Sequence, residues 1–188
     1  MANNKVAPVT LITSLALLIN TSVFANQKTT EQKIAIPENY QSRFIQYHSV
    51  DKPADGDKPA KIRFLYVNPE ALVAARANQA APYGTVLLME DRKAALDDNN
   101  QPLTDKHGRY IPSDEKLAII IQEKQKNWGD KQPEVLRNGD WDYAFFDGNG
   151  VKKQDLDYTP CFACHKGQQV NDYNFTFNVF VNQLAVKK

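Results

Sequence analysis

Two cysteines and a histidine stand together near the C-terminal end of this sequence, as Cys161-Phe162-Ala163-Cys164-His165, and the chain has no other cysteine. A C-x-x-C-H run is the pattern of covalent haem attachment. Two thiols add to the two vinyl groups of a porphyrin, and a two-residue spacer sets the sulfurs a porphyrin edge apart. The adjacent His then reaches the iron from the same face, and imidazole is a strong axial ligand for iron. One haem c, attached through Cys161 and Cys164 with its iron on His165, is therefore expected.

Other chemistry of the same residues fits less well. A zinc site needs two further ligands, and only His48 and His107 remain, at no metal-like spacing. A thioredoxin-like pair normally follows an early strand, whereas this one follows Tyr158-Thr159-Pro160 late in the chain. A structural disulfide stays open as an alternative, since an exported protein meets an oxidising compartment, but it leaves His165 without a role. His48 reads as a packing or surface residue on a helix, and His107 as a solvated residue of the polar loop Lys106-His107-Gly108-Arg109. Their spacing supports neither as a second iron ligand.

The N-terminus reads as a secretory signal over residues 1–25. Lys5 gives a weakly basic start, Leu11, Ile12, Leu15, Leu17, Leu18 and Ile19 an apolar centre, and Val23-Phe24-Ala25 a cleavage site after Ala25. The apolar run is short for a membrane span and is broken by Thr10, Thr13, Ser14 and Asn20. The expected product, Asn26 to Lys188, is soluble and periplasmic, with no membrane association after cleavage. The leader holds one Lys and no acid, so removing it from the 23 basic and 22 acidic residues leaves a formal net charge of zero. Nothing in that balance suggests a nucleic-acid surface.

The elements that must position the motif are read from periodicity. Residues 26–36 are a loose lead-in, and 37–188 form one domain. A first helix is expected over Pro37 to His48, from Tyr40, Phe44 and Tyr47 at helical spacing. Lys61 to Val67 alternates as a strand. Asn68-Pro69-Glu70 starts a helix running to about Asn78. Further strands are expected at Thr85 to about Arg92, Leu117 to Gln125 and Trp141 to Phe146, with a long loop over residues 97–115. A last helix, Asp172 to Leu184, carries the stripe Tyr173, Phe177, Phe180, Val181 and Leu184, with Asp172 as its cap. Strands in the middle and helices at the ends make the fold class α+β, a mainly antiparallel sheet with flanking helices and the haem held near the C-terminal segment.

Several of these stretches occur together in one family. They are Pro37-Glu38-Asn39-Tyr40, Lys61-Ile62-Arg63 with Asn68-Pro69, Gly84 to Glu90, Trp141 with its aromatic followers, and Cys161 to His165 followed by Asp172-Tyr173-Asn174-Phe175-Thr176. In that order they resemble the cytochrome P-460 family, which also contains cytochrome c′-beta. The resemblance implies an antiparallel sheet with flanking helices, one haem per subunit and a homodimer. It also locates two distal-pocket candidates. Arg63 matches the arginine lining the distal side of the P-460 enzymes. Met89 takes the place of the lysine that those hydroxylamine-oxidising enzymes bond to the haem ring. Methionine has no amine, and Lys93, on the same strand face, lies ~13 Å further along a continuing strand. In cytochrome c′-beta an apolar aromatic residue at this place caps the distal face, and Met89 is nearer to that case. The distal carboxylate of the P-460 enzymes falls near Ile120, or on Glu123 if the register shifts.

Three functions follow. The first is binding of a small diatomic gas such as nitric oxide in an apolar distal pocket. The second is electron transfer with His/Met ligation by His165 and Met89, which calls for a redox partner protein. The third is oxidation of hydroxylamine or nitric oxide by a haem enzyme, which the missing lysine and the missing acid disfavour.

Overall fold

The computed structural model describes residues 34–187, and the signal sequence expected over residues 1–25 lies outside them. Five strands make one sheet in the order β1-β2-β3-β4-β5, each antiparallel to the next. They are β1 (Ile45–Lys52), β2 (Lys61–Val67), β3 (Val86–Ala94), β4 (Pro112–Lys124) and β5 (Trp141–Asp147). Four helices flank it: α1 (Tyr40–Arg43), α2 (Pro69–Ala74), α3 (Thr159–Lys166) and α4 (Phe177–Val186). The α+β class and the antiparallel sheet are as expected. No described helix is long and apolar enough to cross a membrane.

The side-chain alternation of the strands divides the sheet into two faces. One face packs Tyr66, Leu88, Ile119, Ile121, Ala144 and Phe146 with Tyr40 and Ile34 into the larger core. On this face Glu90 is wholly buried and meets Tyr40 Oη, Gln41 Nε2 and Arg92 Nε. The other face carries Leu65, Leu87, Met89 and Ile120, which line a cavity. At the end of this face a second core forms from Val67, Ala71, Leu87, Trp141, Phe177 and Val181.

The first helix expected over Pro37 to His48 is largely a strand. Only Tyr40–Arg43 is helical, Phe44 leaves it in extended conformation, and Ile45 onward pairs with β2. Tyr40, Phe44 and Tyr47 do have helical spacing, but four residues make too few hydrogen bonds to hold a helix alone, and pairing along the edge of β2 offers eight residues a ladder. A register shift between Gln46 and His48 follows from that pairing. His48 therefore sits exposed on an edge strand, not on a helix.

Other boundaries moved as well. The helix starting at Pro69 ends at Ala74, not Asn78, because Ala75 is extended and Asn78 is left-handed. Strand β4 reaches back to Pro112 into the segment expected as loop, pairing Ala94 with Pro112. The last helix starts at Phe177, and Asp172 does not cap it. Asp172 and Tyr173 instead adopt consecutive left-handed conformations, φ 52° and 59°. The helix α3 that carries the cysteines was not among the expected elements.

Candidate haem site

Helix α3 begins with Pro160 in its first turn, where a missing N–H costs nothing. Its helical turn places Cys161, Cys164 and His165 at i, i+3 and i+4, the spacing that shares one helix face. Both thiols are free, Cys161 half-buried and Cys164 exposed. Asn138, wholly buried on the approach to β5, ties the helix down: its Nδ2 donates to the Phe162 carbonyl at 2.9 Å and to Tyr143 Oη at 3.0 Å. The Phe162 ring packs edge-on against Tyr143, with centroids 4.8 Å apart.

The imidazole of His165 is held on three sides. Tyr143 lies 4.8 Å away at a tilt of 50°, and Phe175 5.0 Å away, edge-on. The third hold is a hydrogen bond of 2.7 Å between Nδ1 and the Tyr173 carbonyl. A carbonyl only accepts, so Nδ1 carries the proton and donates it, which leaves the Nε2 lone pair free. Burial lowers the pKa of His165, against the opposing pull of the Tyr173 carbonyl, and so favours the neutral ring that a metal requires. Engagement of the second ring nitrogen by a backbone carbonyl is the usual way a ligating His is fixed in tautomer and orientation.

The left-handed pair Asp172-Tyr173 aims that carbonyl. Asp172 is held by Lys124 Nζ at 2.7 Å, by the Ala81 N–H at 2.9 Å and by Trp141 Nε1 at 3.3 Å, all on one oxygen. Lys124 also donates to the Ala81 carbonyl, and its side chain is only 8% exposed. The Asp172–Lys124 pair therefore joins the turn before α4 to the end of β4, while Gln122 Nε2, one pleat earlier, donates to the Tyr173 carbonyl at 2.9 Å.

His165 and Cys164 face a cavity of about 460 Å³ whose opposite wall is the sheet. That wall is Leu65, Leu87, Met89 and Ile120, with Arg63, Val50 and Lys52 toward one end and Gln122 toward the other, while Phe175 lines the cavity beside His165. The volume is in the range of ~300–1,000 Å³ usual for ligand and cofactor pockets. Among the described residues no group of three His, Cys, Asp or Glu is gathered as a metal site, so the zinc alternative finds no ligand set. Two free thiols, a neutral imidazole with its outer nitrogen engaged, and an adjoining apolar cavity fit a haem of the c type. His165 would ligate the iron, the thiols would anchor the ring, and the sheet would cover the opposite face.

The structure brings Cys164, His165, Met89 and Arg63 to one cavity, whereas Cys161, half-buried on α3, is not among its lining residues. Met89 is half-buried and opposes Ile120 across the strand pair β3–β4. Ile120 lines the cavity, whereas Glu123 lies on the opposite face and accepts from Gln125, so no acid stands on β4 toward the cavity among its described residues. Lys93 pairs with Glu115 at 3.1 Å, away from the wall. His48 and His107 are both exposed and outside the cavity.

Sequence reasoning missed the residues that set these groups in place. Arg63 is paired: its Nε and Nη2 bind the two oxygens of Asp91 at 2.8 and 2.9 Å, and Lys61 binds Asp91 at 2.6 Å. Asp91 is 2% exposed. Its burial works against ionisation, but the bonds from Arg63 and Lys61 outweigh it and hold the carboxyl below its ordinary pKa. Strand parity with Met89 was the available signal for Asp91, and parity with Ile120 the signal for Gln122. The Tyr173 carbonyl had no side-chain signature of its own, only its place in the segment Asp172 to Thr176.

Comparison with curated proteins finds no match. Comparison with family models does: the cytochrome P460 model matches residues 37–176, from the residues before α1 through the haem motif to the carbonyl that holds His165. The match spans most of the chain and includes both the sheet wall and α3, and the family is one of c-type haem proteins, so this chain belongs to the cytochrome P460 family.

Proposed function

We propose that the chain is an exported, periplasmic cytochrome carrying one covalently attached haem c and binding a small diatomic gas, nitric oxide or carbon monoxide, on an apolar distal face. Removal of the leader after Ala25 belongs to this reading. Cys161 and Cys164 would anchor the haem through thioether bonds, and His165 Nε2 would ligate its iron. The observation that carries it is the common cavity, in which His165 and Cys164 face Leu65, Leu87, Met89 and Ile120. When bound, haem would supply an iron able to bind a neutral diatomic ligand.

The protein's own part is positional. The Tyr173 carbonyl, Tyr143 and Phe175 fix the imidazole plane. The aliphatic wall excludes water and larger or charged molecules. Arg63, paired with Asp91, places a guanidinium among the cavity-lining groups. Hydroxylamine oxidation is disfavoured: position 89 has no amine, β4 presents Ile120 and Gln122 to the cavity, and Asp91 is already neutralised by two cations. The homodimer implied by the family, and a redox partner protein, complete the proposal.

A second reading rests on Met89, whose thioether lines the same cavity as His165. If it ligates, the site is His/Met and the protein an electron carrier. Absorption spectra of the matured protein, ferric and ferrous, with and without carbon monoxide, separate the two. A high-spin ferrous spectrum that shifts at once with the gas is expected. A low-spin ferrous spectrum that ignores the gas, and becomes gas-sensitive in Met89→Leu, would overturn the gas-binding reading in favour of electron transfer.

A further inference from the structure

The carbonyl that holds His165 has a second donor. Tyr173 O accepts from His165 Nδ1 at 2.7 Å and from Gln122 Nε2 at 2.9 Å. Gln122 is a buried polar side chain, 7% exposed, on the cavity face of β4 one pleat beyond Ile120. A buried amide on a sheet face must find a partner, because leaving it unpaired costs ~1–3 kcal/mol. Its partner here is the one carbonyl that touches the iron-ligating ring.

A carbonyl oxygen has two lone pairs and can serve two donors, but they draw on the same electron density. The amide of Gln122 withdraws density from Tyr173 O and weakens its pull on the His165 Nδ1 proton. The strength of that pull sets how basic, and how electron-rich, Nε2 is as a ligand. Hydrogen bonding of the axial ligand is one of the few means a protein has to adjust a haem's potential. The turn is anchored beside this carbonyl: Asp172 is held by Lys124, Trp141 and the Ala81 N–H, which restrains the carbonyl between its two donors.

We infer that Gln122 is a positioning residue that tunes the proximal ligand, sharing the Tyr173 carbonyl with His165 so that the imidazole stays a moderate rather than a strong electron donor. This keeps the reduction potential higher than a lone carbonyl partner would give. It also limits the push from His165 on a gas bound at the opposite face. The inference rests on the reading of His165 as the iron ligand.

The test uses the full matured protein and the variants Gln122→Leu, which removes the donor, and Gln122→Lys, which retains one. The iron–histidine stretching band of the ferrous form and the reduction potential are measured for each. Gln122→Leu is expected to raise the stretching frequency and lower the potential. Gln122→Lys is expected to keep the frequency at or below that of the parent. A frequency unchanged in Gln122→Leu, in a protein that still carries haem and melts cooperatively, overturns the inference, because a merely structural amide would shift the melting temperature and leave the band alone. A protein that matures no haem even as the parent sequence defeats the reading of the site instead, and the two failures are told apart by the haem content of the parent. Should Gln122→Leu fail to fold, Gln122→Lys alone decides, and a frequency above that of the parent contradicts the inference.

Discussion

Replacing Asp172 by alanine should unfasten the proximal turn. Asp172 accepts from three donors, and one of them is Lys124, an ammonium whose side chain is 8% exposed. Removing one member of a buried ion pair leaves its partner charged and uncompensated, at about 3–5 kcal/mol. Alanine in place of aspartate at φ 52° adds a smaller backbone cost, because aspartate tolerates the left-handed region better. For a domain of this size each kcal/mol moves the midpoint by roughly 2–4 °C, so Asp172→Ala should melt roughly 6–20 °C below the parent. The assay is urea and thermal unfolding of the matured protein, with Lys124→Met and the double variant alongside. The two single losses should be strongly non-additive, since once either partner is gone the other has little left to lose. The same variant should broaden the iron–histidine band, because the Tyr173 carbonyl loses its anchor. A loss below ~1 kcal/mol in Asp172→Ala, or strict additivity with Lys124→Met, would refute the view that this pair holds the turn.

Two carboxylates should show opposite pH behaviour. Asp142, half-buried on β5 and opposite Glu123 on β4, has its pKa pushed by burial from 3.8 to about 6. A raised acid pKa favours the folded state where the group is protonated, so its penalty sets in above the unfolded value and is complete above about pH 6, at about 2–3 kcal/mol. Asp142→Asn should therefore be more stable than the parent at pH 7.5 and equal to it near pH 4, read by denaturant midpoints. Asp91 is the reverse case: Arg63 and Lys61 hold its pKa below 3.8 despite burial, so its contribution is present above pH 4 and is lost as the pH falls through the folded value. Asp91→Asn should cost about 2 kcal/mol at pH 7, from charged hydrogen bonds lost, with the gap to the parent closing on acidification. An Asp91→Asn deficit that stays constant down to pH 3 would count against the pairing.

The parts of this molecule that a sequence can show are those carried by local pattern. The haem motif is five consecutive residues with a fixed chemistry, and four of the five strands announce themselves through alternation or β-branched runs such as Ile119-Ile120-Ile121. Met89 and Arg63 could be aimed at one cavity because strand parity decides which way a side chain points. Helix α3 was not legible, since residues 159–166 open on Thr159-Pro160 and carry their functional residues, not an apolar stripe, on the helix. Strand β1 was misread because Tyr40, Phe44 and Tyr47 satisfy a helical spacing by chance of sequence, and only the partner strand β2 shows that the segment pairs as an edge. Asp172 looked like a cap from its place before an apolar stripe; its actual partners, Lys124, Ala81 and Trp141, are distant in sequence. The shared carbonyl of Tyr173 belongs to the backbone, and nothing in the identity of a residue tells where its carbonyl will point.

The central claim is that Cys161 and Cys164 hold a haem, and covalent attachment is the direct test. The protein is matured with a c-type haem assembly system, extracted with acidified acetone, and digested with trypsin for mass analysis. The account predicts that one haem per chain stays with the protein after extraction and maps to the peptide Gln154 to Lys166, which contains both cysteines and His165. Haem that leaves into the organic phase, with both thiols then free to be alkylated in denaturant, would contradict it.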